Sequence, residues 1–226
     1  MAEGSDPRLS AAHLDDLAIV ILTTPPDTEA ALRPELDEDG RARLRSRLKL
    51  IGRHDWPSNL REDPALRRGY TLRQCFRLMT ALLLLDAHIP PSIAIQIARA
   101  NELQFLRTIT DHLTQPSTSQ ENGPIAAVLL GHFWEWLDQE AWNEAQPYRI
   151  RVTKKAELAQ LWSTGSAFGV AGQRLLVDIG GVARSMWDWI RARDLLPPAA
   201  LNELVEQLRA QAAPAYDARN DKAKRR

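Results

Sequence analysis

A mainly α-helical fold, a multi-helix bundle built round a central helix-turn-helix-like pair, is predicted by three observations. The 226-residue chain is biased toward Ala, Leu, Arg, Glu and Gln, all strong helix formers. Apolar residues recur at i, i+3, i+4 and i+7 in several separate windows, the period of a helix with one buried face. Pro-Pro pairs at 25–26, 90–91 and 197–198 stand between such windows, where proline ends one helix or opens the next. Two alternating stretches in the C-terminal third add a short β-hairpin or two short strands to the helical body.

Composition narrows the class. Hydrophobic residues make up 44% of the chain and charged residues 26%, a globular balance that excludes collagen-like, fibrous and wholly disordered classes. The length suffices for one sizeable core, with or without a small appended domain. Cys75 is the single cysteine, so it cannot form an internal disulfide; it reads as a small core hydrophobe in a reducing, cytoplasmic compartment. The first residues show no basic stretch followed by an apolar core, and the longest apolar run, residues 79–85, is far short of the roughly 20 residues a spanning helix needs, so no membrane association is expected.

In chain order, residues 1–40 form an acidic N-terminal arm with one short helix. Leu14, Leu17, Ala18, Ile21 and Leu22 share its face, Ser10 caps its start, and Pro25-Pro26 ends it. The arm carries ten acids against two bases, a net charge of −8, whereas residues 41–77 carry eleven bases against three acids, a net +8. Such asymmetry points to a polyanionic partner or to one segment neutralising the other. On the first reading, removing residues 1–40 leaves the fold intact and strengthens DNA binding. The run 41–51 alternates bases with Ala, Leu and Ser as a strand would, but Leu44, Leu48 and Ile51 suit a helix. Strong helix formers, acids before the run and Gly52 after it select the helix. Residues 53–70 lack a sustained period and read as an ordered linker anchored by Trp56.

The chain is organised around residues 70–101. Thr71 and Gln74 make a T-x-x-Q capping box, so a helix starts at Leu72. Leu72, Cys75, Phe76, Leu78, Met79, Leu82, Leu83 and Leu85 cover most of its circumference, leaving Arg73, Arg77 and Thr80 as a polar strip. Pro90-Pro91 breaks the chain and opens a second helix, with Ala94, Ala98, Phe105 and Ile109 on one face and Gln96, Arg99, Arg107 and Thr110 on the other. Leu78, Leu82, Leu85, Ile97 and Leu106 are the expected core. The pair at residues 71–104 resembles a helix-turn-helix DNA reader, though its turn, Ala87-His88-Ile89, lacks the glycine of the commonest form. A plain helical hairpin within a core is the alternative. The resemblance implies a bacterial-type transcriptional regulator that binds double-stranded DNA as a homodimer. Arg45, Arg67, Arg68, Arg73 and Arg77 would then neutralise phosphates, while Ser92, Gln96 and Arg99 face bases.

The basic segment and the pair occupy residues 41–114, and a polar loop, 115–123, divides them from a helical C-terminal region with short strands at 124–212. Pro124 is expected to open an amphipathic helix with Ile125, Val128, Leu129, His132, Phe133, Trp136 and Leu137 on one face. Its Trp134 and Trp136 suit a protein partner, which gives the rival function, a non-enzymatic interaction or adaptor protein. Residues 148–153 and 172–178 alternate like strands, and helices are expected at 154–162, 182–195 and 199–212. A basic tail, 213–226, is expected to be mobile.

No enzyme, metal site or cofactor is expected. The five histidines form no H-x-x-x-H, and no nucleophile elbow or phosphate-cradling glycine motif occurs. The phrase Val177-Asp178-Ile179-Gly180-Gly181 is similar to the D-x-G-G turn of actin-like sugar kinases. Those proteins place it at the start of a repeated domain, so Asp178 is read here as a helix N-cap. Two functions therefore compete, and charge placement separates them. A DNA reader needs its cations clustered on one face, whereas an interaction protein pairs them with residues 1–40.

Overall fold

Four of the other described helices pack on the one that begins after Thr71. The computed structural model describes residues 8–23, 36–57, 69–114, 123–129, 150–158 and 174–224. Among them the elements are α1 (Ala11–Thr23), α2 (Glu38–Gly52), α3 (Leu72–Asp86), α4 (Pro91–Ala100), α5 (Glu102–Leu113), β1 (Pro124–Leu129), β2 (Ile150–Lys154), β3 (Arg174–Val177), α6 (Ile179–Ala192) and α7 (Pro198–Lys224). The fold is mainly helical, with one small antiparallel sheet in its C-terminal part. No helix among the described residues is long and apolar enough to cross a membrane.

The capping box forms as the sequence predicts. Gln74 donates its amide to Thr71 Oγ1 at 3.3 Å, and the Thr71 amide donates to Gln74 Oε1 at 2.9 Å. Ten of the fifteen residues of α3 are buried, and the helix packs on α1, α4, α5 and α6. Leu78, Leu82, Ile97 and Leu106 lie in the core as expected, with Leu85 partly buried against it.

The helix of the acidic arm is itself a core element. Leu14, Leu17, Ala18, Ile19, Val20 and Ile21 are buried, and α1 packs on both α3 and α6. Leu9 and Tyr70 exchange backbone hydrogen bonds of 2.8 and 2.7 Å, which ties the start of α1 to the residue before the capping box. The expectation that residues 1–40 can be removed with the fold intact is therefore corrected: their deletion strips a side from the core.

At the end of α3 the chain turns without glycine because His88 takes the left-handed conformation, φ 64°. The His88 amide then donates to Leu85 O at 3.0 Å and the Ile89 amide to Leu84 O at 3.2 Å, the two bonds of a Schellman cap. The second helix is not continuous. It breaks at Asn101, where φ is −115° and the side-chain amide donates back to Ile97 O at 3.0 Å, a local bond that competes with the helical ladder. The break starts α5 at Glu102, an acid in a helical first turn, where the helix dipole favours it.

The largest correction concerns residues 124–129. They form the central strand of a sheet ordered β2-β1-β3, not the opening of a helix. Ala126 lies opposite Val152 and Val177, and Val128 opposite Ile150 and Leu175. Ile125, Ala126, Ala127 and Val128 are all buried, so the strand shows no two-residue alternation, and a short apolar run of this kind cannot be told from a buried helix by period. Its partners lie far along the chain, out of reach of any local pattern. The proposed face beyond it, from His132 to Leu137, lies outside the described residues.

The two expected strands are present as β2 and β3. Where a helix was expected at 154–162, a 3-10 turn, Lys155–Glu157, leads into helical Leu158, and the rest of the range lies outside the described residues. Asp178 caps α6 by accepting from the Gly181 amide at 2.9 Å. Gly180 lets the first turn of α6 lie directly on β1, since a Cβ there would meet Pro124 N at 2.9 Å. The last helix packs on α5 and continues to Lys224, so a helix stands where a mobile tail was expected at 213–224. Ala, Lys and Arg past Pro214 are strong enough helix formers to carry the backbone on.

Candidate nucleic-acid interface

The densest cations of the chain ride on α2, which buries only Leu44 and Ile51. Their placement divides them into two sets. Arg41 and Arg45, one turn apart, face α1: Arg41 Nη1 lies 3.6 Å from Asp16 Oδ1 and Arg45 Nε 3.2 Å from Asp15 Oδ2. The Arg45 side chain stays 62% exposed, and pairs in such surroundings contribute about 0–1 kcal/mol each, so another anion can replace the carboxylate. Arg47 reaches only to 4.0 Å from Asp86 Oδ1. Arg43, Lys49 and Arg53 are exposed and make no ion pair with described residues.

Arg73 and Arg77 are placed differently. Arg77 donates from Nε and Nη2 to the two carboxylate oxygens of Glu102 at 2.9 and 3.0 Å, and Arg73 Nε donates to Glu102 Oε1 at 2.6 Å. The Arg77 and Glu102 side chains are only 10% and 13% exposed. This fork is a part-buried structural pair that joins α3 to the start of α5. Trp56 packs beside it with its ring centroid 5.1 Å from Arg77 Cζ, and its Nε1 donates to Arg77 O at 2.9 Å. The sequence marks Trp56 as an anchor, and the structure supplies what it anchors to. Glu102 carries no sequence signal of its role, because its partners lie 25 and 29 residues earlier with no helical relation to it.

On α4, Ser92 and Arg99 are exposed and Gln96 is half-buried. Arg99 Nη2 donates to His54 O at 3.0 Å, and its Cζ lies 5.6 Å from the Trp56 centroid. The helices α2 and α4 lie against each other. The Arg99–His54 bond ties α4 to the residues just after α2, and Arg47 of α2 approaches Asp86 at the end of α3. Arg43, Lys49 and Arg53, which the residue pattern did not single out, are exposed on or just past α2, and Ser92 and Arg99 are exposed on α4, the helix that α2 touches; Arg45 is turned instead toward α1. Arg67, Arg68, Trp134 and Trp136 lie outside the described residues.

Neither a protein-family model, nor a curated protein, nor a solved structure matches this chain. The geometry alone therefore carries the functional reading.

Cys75 is fully buried and burial pushes its thiol up to about 12, which leaves no thiolate near neutral pH. At the D-x-G-G phrase, the Asp178 carboxylate itself sits on the Gly181 amide and pairs with Lys155 Nζ at 2.6 Å. The Gly181 amide and the Lys155 ammonium thus both have the chain's own acid as partner.

Proposed function

We propose that this protein binds double-stranded DNA through α2 and α4 and serves as a transcriptional regulator. The observation that carries the reading is the cationic helix α2, which exposes Arg43, Arg47 and Lys49, with Arg53 just past its end, and which packs on α4, the helix that bears Ser92, Gln96 and Arg99. Phosphate contacts fall to α2, Arg45 included, rather than to Arg73 and Arg77, which Glu102 holds. Base contacts fall to α4, where an Arg or Gln side chain can meet a purine edge with paired hydrogen bonds. A homodimer would set two such faces on half-sites one helical turn apart.

The test is a titration of a labelled random-sequence duplex at several salt concentrations. The logarithm of affinity should fall against that of salt with a slope of about −0.9 for each phosphate neutralised. Replacing Arg43, Lys49 and Arg53 together by Gln should flatten that slope while leaving the melting temperature unchanged. Absence of duplex binding at low salt would end the reading. The second reading, a non-enzymatic interaction protein, is favoured by a specific observation: Arg41 and Arg45 pair with Asp16 and Asp15 of the acidic arm. It predicts the absence of any duplex binding, whatever the salt.

A further inference from the structure

Two guanidinium groups rest near one tryptophan ring, and they are not equivalent. Arg77, at 5.1 Å from the Trp56 centroid, gives Nε and Nη2 to Glu102 and directs Nη1 to Pro57 O at 3.5 Å, so its whole fork is engaged. Arg99, at 5.6 Å, gives one donor of Nη2 to His54 O. Its remaining N–H groups make no hydrogen bond within the described chain. The ring itself is 3% exposed and is locked by its Nε1 bond to Arg77 O. A long surface side chain is thereby fixed in direction by a rigid aromatic surface and a backbone carbonyl, while most of its hydrogen-bonding capacity stays open to solvent.

We infer that Trp56 is the positioning residue for Arg99, holding its guanidinium ready for a two-bond contact with the N7 and O6 acceptors of a guanine in the major groove. The inference rests on the DNA-binding reading above and goes beyond it by naming what the fixed arginine recognises and what fixes it. An ordered arginine loses less rotamer freedom on contact than a free one, and its planar fork matches two acceptors in one plane. Neither residue that holds Arg99 comes from the helix pair. Both His54 and Trp56 belong to the connection that follows α2, so the same few residues join the cationic helix to the reading helix. Arg77 and Glu102 complete the support from beneath, since they hold the ring.

The experiment starts from a pool of randomised duplexes from which the unaltered protein selects a preferred sequence, which is then compared with its scrambled counterpart. Selected duplexes should contain a required guanine. Trp56→Leu should lower the ratio of preferred to scrambled affinity about tenfold, the scale set by the freedom of a long side chain. Scrambled binding should be unchanged, and Trp56→Phe, which keeps a ring, should retain most of the discrimination. Should the Leu variant not fold, Trp56→Met fills the site without a ring and takes its place. The double variant with Arg99→Ala should discriminate as well as Arg99→Ala alone, because the ring acts only through the Arg99 contact. Equal losses on both duplexes, or losses that add in the double variant, would overturn the role of Trp56 and leave DNA binding standing. Failure of the unaltered protein to enrich any duplex would remove both.

Discussion

Glu102 shows how one side chain fixes the chemistry of several. Its carboxylate receives three hydrogen bonds from Arg73 and Arg77, and with Arg77 only 10% exposed its loss takes the charged acceptor from a cation in a poorly hydrated place. Glu102→Gln should therefore destabilise the fold by about 3 kcal/mol, the usual cost of breaking a buried pair from one side, as read from urea unfolding. A change under half that size would show that water reaches the pair freely. His112 gives a second residue-scale expectation. Burial first, and then the nearby Arg184 cation, hold its imidazole below the ordinary 6.5, so the folded chain favours the neutral ring. The unfolded chain then binds the extra proton, and the stabilisation is complete above 6.5 and is lost as pH falls from there through the lower folded value. Melting temperatures of the native chain and of His112→Gln, measured from pH 8 downward, should diverge in their pH dependence only below that point.

At the scale of elements, α1 and α2 make one electrostatic unit. Asp15 and Asp16 hold Arg45 and Arg41 at 3.2 and 3.6 Å, on the side of α2 turned toward the core helix α1. Deleting the arm would confound charge with packing, so the discriminating change is Asp15→Asn with Asp16→Asn, which keeps the buried Leu14 and Leu17 in place. The variant should bind random duplex more tightly at low salt, with a salt slope steeper by about 0.9 for each arginine that gains a phosphate. Unchanged affinity would place Arg41 and Arg45 away from the bound polyanion. The turn after α3 was legible as a break, because proline forces one, but its form was not. His88 stands at φ 64°, a conformation glycine commonly takes at a helix end, and the Schellman bonds to Leu84 and Leu85 compensate for the strain of a non-glycine residue there.

For the whole molecule, a single connected cluster of buried apolar residues runs from Leu9 to Ala212 and takes members from all seven described helices and the sheet. A core shared in this way should melt as one unit, so far-ultraviolet circular dichroism and tryptophan fluorescence should report one coincident transition. Leu82, 1% exposed on the central helix, tests its density: Leu82→Ala should cost about 2 to 5 kcal/mol and lower Tm by at least about 5 °C. Separate transitions by the two probes would show that the C-terminal elements fold on their own.

What the sequence determined by itself is what neighbouring residues can enforce. The Thr71-Gln74 box, the proline restart at Pro91, the Asp178 cap and the apolar face of α1 all arise within about a turn or two of backbone, and each is where the residues place it. Only the tertiary structure decided the rest. It made residues 124–129 a strand, because their hydrogen-bond partners lie at 150–154 and 174–177, and it turned α1 from an acidic arm into a wall of the core. It also divided the arginines. Arg77 and Arg99 look alike on a helical wheel, but Glu102 engages the fork of the first, while His54 and Trp56 orient the second and leave most of its donors open. Charge type is local, whereas the partner that claims a charge is set by packing between distant segments.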